Sequence, residues 1–149
     1  MAASTIQFAS LGIEQTALST ELNALPNNGK AIGAAAIDNT VTRQTHCLVS
    51  LFAGFQGVPT ANGNVNVYFC PSADGLNFDY GADPGSNIPS GALLAATFHP
   101  DVAAQKLFVA RAELPGPCKY KVVVVNETVQ LMTATGNTLK VTQFADEVV

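Results

Sequence analysis

The chain has 149 residues, of which 48% are apolar and only 12% charged, with a net charge of −4. It has no basic stripe of the kind that binds nucleic acid: its Lys and Arg residues number seven, and the local clusters, Lys119 with Lys121 and Arg43, are too small. No apolar run approaches the ~20 residues of a membrane-crossing helix.

Neutral polar residues make up for the few charges: thirteen threonines and eleven asparagines. A surface so poor in charge has weak protection against association and suits a protein that lives in contact with partners. The first twelve residues, MAASTIQFASLG, lack the basic start and long apolar stretch of a secretory signal, so synthesis in a reducing cytoplasm is expected. The odd set Cys47, Cys70 and Cys118 forms no CxxC pair and reads as small buried hydrophobes.

Along the chain, apolar and polar residues alternate with the period of a strand. Ile6 and Phe8 alternate with Thr5, Gln7 and Ala9. The stretch from Thr16 to Leu22 reads as a strand carrying Leu18 and Leu22, and Pro26 to Gly29 as a turn. Residues 30–38 (KAIGAAAID) predict a weak strand or extended segment, because Gly29 and Gly33 argue against a helix.

Thr45 to Phe55 predicts a strong strand, with Cys47, Val49 and Leu51 on one face and Leu48 and Phe52 on the other. Asn62-Gly63 is a hairpin signal leading into Val65, Val67 and Phe69. The intervening Asn64 and Asn66 are expected to face water or a partner. Asp74-Gly75 builds a turn between Pro71 and Asn77.

Residues 79–92 (DYGADPGSNIPSGA), with three glycines and two prolines, read as an exposed loop. Strands are expected at Leu93 to Phe98 and Gln105 to Leu114, the latter with Phe108 and Ala110 opposite Leu107 and Val109. One helical turn is placed between Pro100 and Lys106. Pro115-Gly116-Pro117 reverses the chain into Lys119 to Met132, where four consecutive valines, Val122 to Val125, mark a strand buried on both faces. Thr135-Gly136-Asn137 is the last turn and Leu139 to Gln143 the last strand, before a short tail, Asp146 to Val149.

Eight to ten short antiparallel strands with regular turn signals predict one all-β domain over 1–149, a jelly-roll-like β-sandwich. The segments 1–15 and 140–149 are read as possible extensions from it.

Chemistry is hard to find in this pattern. Asp74, Asp79 and Asp83 are oxygen ligands on a Gly-rich stretch, the type that holds calcium, but their spacing is not that of an EF-hand loop and ordinary turns explain them. His46 and Cys47 are adjacent on a strand and point to opposite faces, so they cannot form a nucleophile pair; His99 ends another strand. Tyr68, Phe78 and Tyr80 flank one turn and could stack on a sugar, although packing around a hairpin accounts for them as well. Asn126-Glu127-Thr128 fits a glycosylation sequon and reads as a turn. No catalytic, cofactor-binding or metal residue is assigned, and the chain is expected not to be an enzyme.

Three segments carry a resemblance. Val65 to Phe78 is similar to a strand closed by a Ser-Ala-Asp-Gly-x-Asn-aromatic turn in small structural proteins of tailed bacteriophages. Lys119 to Thr128 resembles their following valine strand, and Gly136 to Val141 their last one. The likeness runs loosely from about residue 37 to 144. Cys70 and Cys118 depart from the pattern, and Ala31 to Ala36 match nothing in it. The resemblance implies a virion component on the capsid surface. It would be a decoration (cement) protein, self-associating as a homotrimer, that binds the major capsid protein at seams between coat subunits and stabilises the shell. A sugar-binding head-fibre, tail or connector component is the alternative.

Overall fold

The computed structural model describes the backbone of residues 6–8, 12–78 and 91–148, with side chains for 12–78 and 91–145. Among the described residues there are eleven strands: β1 (Ile6–Phe8), β2 (Glu14–Leu18), β3 (Gly29–Ile32), β4 (Ile37–Asp38), β5 (His46–Ala53), β6 (Asn64–Ser72), β7 (Leu93–Phe98), β8 (Lys106–Glu113), β9 (Lys119–Glu127), β10 (Thr138–Phe144) and β11 (Asp146–Val148). One sheet has the order β2-β10-β5-β8. The other runs β3-β9-β6-β7, with β4 also on β9, while β1 and β11 pair separately.

All these pairs are antiparallel and they nest. β6 pairs with β7, β5 with β8, β3 and β4 with β9, β2 with β10, and β1 with β11. The chain is thus one long hairpin folded over on itself, and successive strands cross between the sheets everywhere except from β3 to β4 and from β6 to β7. This is the jelly-roll arrangement of a β-sandwich.

The core lies between the sheets. Cys47, Val49, Leu51 and Ala53 of β5 are fully buried against Val65, Val67 and Phe69 of β6 and Val124 of β9. Burying each large apolar side chain contributes about 1.5–3 kcal/mol. The valine strand is covered on both faces. Val122 and Val124 join this core, while Val123 joins Tyr68 and Cys70 in a second buried cluster on the other side of the sheet.

Buried asparagines hold the crossing loops. Asn39 Nδ2 donates to Gln44 O (2.8 Å) and Gly116 O (3.1 Å). Asn137 Nδ2 donates to Thr133 O (2.7 Å), and its Oδ1 accepts from Gly54 N (3.1 Å). Asn126 ties the β9 exit turn, in which Val129 has φ of 68°, to the turn before β3. A β-branched residue adopts that angle only when its surroundings impose it.

Several expectations are corrected. The strand from Thr16 stops at Leu18, and Thr20–Leu22 is a 3-10 helix; Leu18 and Leu22 are still both buried. Asn62-Gly63 does not close a hairpin, because β5 already has β10 and β8 on its two sides and β6 belongs to the other sheet. Gly63 instead allows close passage, since a Cβ there would lie 2.8 Å from Thr128 Cα. Pro100 to Lys106 forms no helical turn; the segment is held by the bond from Phe55 N to Ala103 O (2.8 Å) and by the Asp101–Lys106 ion pair. In the terminal segments, residues 14–15 and 140–144 lie inside a sheet. β11 does not trail free: it pairs with β1, Gln7 opposite Glu147.

Candidate interaction surface

Directly opposed residues of an antiparallel pair share a face. The register therefore lays out the outer face of the four-stranded sheet in rows. Phe52 lies between Thr138 and Leu107, Ser50 between Lys140 and Val109, Leu48 between Thr142 and Arg111, and His46 between Phe144 and Glu113. Three neighbouring positions of this face are apolar and open: Phe52 is 37% exposed, Leu107 58% and Val109 53%.

A shallow depression of about 410 Å³ sits there, lined by Glu14, Ser50, Phe52, Leu107, Thr138 and Lys140. One rim is fixed by Lys140 Nζ, 2.7 Å from Glu14 Oε1 across β10 and β2. The opposite end of the face is closed by an aromatic stack. The His46 ring lies 5.8 Å from Phe144, and the Arg111 guanidinium is 5.5 Å from the centroid of the same Phe144 ring. Beyond the sheet edge, Leu93 and Leu94 of β7 are also exposed. Isolated exposed apolar residues are ordinary, whereas here three lie next to one another on one sheet face.

The residues singled out in the sequence are placed elsewhere. Asp74 is a turn residue. Its Oδ1 accepts from Leu76 N (2.9 Å), Asn77 N (2.8 Å) and Ser72 Oγ (2.9 Å). These bonds, that from the Asn77 amide foremost, hold its carboxyl well below the usual carboxylate range. Asp79, Asp83 and Tyr80 lie outside the described residues, among which no group of three or more His, Cys, Asp or Glu could hold a metal ion.

Cys47 faces the core while His46 faces out, and burial pushes the Cys47 thiol up to about 12. Cys70 is buried in the outer cluster, Cys118 is half-buried in the β8–β9 crossing, and none of the three is in a disulfide. His99 is exposed just past β7. Tyr68 is buried with Cys70 and Val123, so its ring is not an open platform; Phe78 has Lys121 Nζ 5.6 Å from its ring centroid. Asn126 is fully buried and its Oδ1 accepts from Thr128 Oγ1 (2.7 Å), so the sequon is a hydrogen-bonded turn.

Asn64 and Asn66 are only half-exposed, and Asn66 belongs to a polar ladder. Thr97 Oγ1 donates to Asn66 Oδ1 (2.8 Å), and Asn66 Nδ2 donates to Glu127 Oε2 (2.8 Å). The open apolar strip lies on the other sheet, at Phe52, Leu107 and Val109. Its one signal in the sequence was the four-residue apolar run Leu107 to Ala110, which makes a strand apolar on both faces.

The chain matches no protein-family model and no curated protein.

Proposed function

We propose that this protein is a non-enzymatic structural component of a tailed-bacteriophage virion: a capsid decoration protein that binds the major capsid protein at seams between coat subunits and braces the shell. The reading starts from the resemblance of its strand and turn segments to small phage structural proteins. The observation that carries it is the open apolar strip of Phe52, Leu107 and Val109 on a firmly hydrogen-bonded sheet. A rigid sheet face that loses water against a coat subunit gains about 1.5–3 kcal/mol for each large apolar side chain fully covered. A shell repeats that contact at every equivalent seam, so a modest gain per copy adds up over the particle.

Contact of this kind depends little on charge, and high salt leaves it in place. The test is co-sedimentation with particles of the phage that encodes the chain, with copy number from quantitative mass spectrometry. Hundreds of copies retained in high salt are expected, and Phe52→Asp, on the open face, is expected to lose retention while still folding. A handful or about a dozen copies would move the protein to a vertex, connector or tail. Absence from the particle would overturn the virion reading.

A further inference from the structure

A depression of about 310 Å³ lies between the β4–β5 loop and the β8–β9 crossing. Here β5 begins and β8 ends, away from the Phe52, Leu107 and Val109 strip. Gln44, Thr45 and His46 line the depression from one segment, and Leu114, Gly116 and Pro117 from the other. Arg43 and Glu113 bring it one charge of each sign. Its volume is at the small end of ligand pockets, which run from about 300 to 1,000 Å³.

One buried asparagine fixes both walls. Asn39 Nδ2 donates to Gln44 O in the first segment (2.8 Å) and to Gly116 O in the second (3.1 Å). Its Oδ1 accepts from Gln44 N at 2.8 Å and from Thr42 Oγ1 at 3.2 Å, and its backbone carbonyl accepts from Arg43 N at 3.1 Å. Leu114 N joins the two segments again through Thr45 O at 2.9 Å. Within this frame Arg43 has φ of 50°, an angle that residues other than glycine adopt where their surroundings impose it. The His46 ring is stacked on Phe144, and its Nδ1 lies 2.9 Å from Thr45 Oγ1. The walls are therefore in place before a ligand arrives, and little ordering opposes binding.

Three polar groups of the depression are unused. Neither the Arg43 guanidinium nor the Glu113 carboxylate makes an ion pair or hydrogen bond among the described residues, and they do not pair with each other. Gln44 Oε1 is buried without a hydrogen-bond partner, the one such side-chain atom among the described residues. A buried acceptor with no donor weakens a fold, and marks a place where a donor is wanted.

We propose that this depression binds a small zwitterion of amino-acid size, with its carboxylate on Arg43 and its ammonium between Glu113 and Gln44 Oε1. A guanidinium meets a carboxylate through two parallel N–H donors. An ammonium has three donors and no acceptor, so one such group serves the Glu113 carboxylate and the Gln44 amide oxygen together. Leu114 and Pro117 offer apolar contact to the carbon chain between the two charges. An anion alone would face Glu113 and leave Gln44 unsatisfied, and a cation alone would face Arg43. The site does not rest on the virion reading, and its failure would leave that reading untouched.

Amide NMR of the isotope-labelled full chain tests this, with glycine, β-alanine, γ-aminobutyrate and ε-aminocaproate as probes of increasing span. One span is expected to bind best, with a Kd on the order of 1 mM. It should move the backbone signals of Arg43, Gln44, Glu113 and Leu114 and the Gln44 side-chain amide. Caproate and hexylamine, which carry one charge each, are expected to bind about fivefold more weakly or worse. Arg43→Gln and Glu113→Gln are each expected to weaken the best probe about fivefold, with unchanged circular dichroism because both side chains are exposed. Gln44→Leu is expected to weaken it without lowering the urea midpoint, since the substitution removes an orphaned acceptor. The proposal is overturned if none of the four probes gives a saturable shift at these residues, or if caproate or hexylamine binds as tightly as the best zwitterion. Affinity left unchanged by any of the three variants overturns it as well.

Discussion

Gln143 Nε2 donates to Tyr120 Oη at 3.0 Å, a buried hydrogen bond that ties β10 of one sheet to β9 of the other. The Tyr120 ring packs tilted against Phe69, 4.9 Å between centroids, and burial raises its hydroxyl above the ordinary value of 10. Removing one partner leaves the other buried and unsatisfied, whereas removing both does not. Tyr120→Phe is therefore expected to lose about 1–3 kcal/mol. Tyr120→Phe with Gln143→Leu is expected to recover part of that loss. Equilibrium urea unfolding of the wild type, both single variants and the double variant reads the coupling directly. Strictly additive losses would show that the bond contributes nothing.

Asn126 is the heaviest polar anchor in the fold. Its Nδ2 lies within bonding distance of Leu25 O (2.9 Å), Pro26 O (3.2 Å) and Gln130 O (2.8 Å), all in loops at one end of the sandwich. Asn126→Ala strands these carbonyls and the Thr128 hydroxyl in a buried place, with an expected loss of about 3 kcal/mol. Asn126→Asp is expected to be at least as damaging, because a carboxylate cannot donate to the three carbonyls. Both appear as a lower urea midpoint at unchanged slope. A midpoint within error of wild type would mean that the loop is held by its backbone alone.

The strands were legible because side-chain parity is local, while the pairing was not because it is global. Cys47, Val49 and Leu51 share the core face expected from their alternation. The same alternation could not say that β5 and β6 would part company at Asn62-Gly63, since this depends on β10 and β8 occupying both sides of β5. The candidate surface was harder still. The valines of β9 and the run Leu107 to Ala110 of β8 look alike as sequence, but β9 is central and covered on both faces while β8 is an edge. Position in the sheet, which no single strand encodes, decides which apolar face stays open. Tyr68 shows the converse: alternation put it on the side of Asn64 and Asn66, yet it is buried there with Cys70 and Val123.

Acid is expected to weaken the fold through three exposed aspartates. Asp74 is held down by the turn amides of Asn77 and Leu76, Asp38 by the Thr40 hydroxyl and amide, and Asp101 by Lys106. Each carboxyl sits below its ordinary value of 3.8 in the folded chain. A depressed folded value stabilises the fold fully above the unfolded value and loses that contribution as pH falls through the folded one. Melting temperature should therefore be nearly flat down to about pH 5 and drop below about pH 4. Asp74→Asn, which keeps an acceptor for the turn amides but cannot titrate, should flatten the lower part of that fall. An acid slope unchanged by this variant would assign the loss to other carboxylates.

The thiols provide a test of how closed the sandwich is. Cys47 lies fully buried between the sheets and Cys70 in the outer cluster, while Cys118 is half-buried with its Sγ 2.9 Å from Pro115 O. Only a thiolate reacts quickly with iodoacetamide, and burial raises both Cys47 and Cys118, the former to about 12. Native labelling at pH 8 should therefore be slow and confined to Cys118, because Cys47 needs the two sheets to separate first. All three should label at once in urea, as peptide mass spectrometry would show. If Cys47 reacted as fast as Cys118 in the native protein, the sheets would have to part far more often than a core of fully buried valine, leucine and phenylalanine allows, and the closed sandwich would be the wrong ground state.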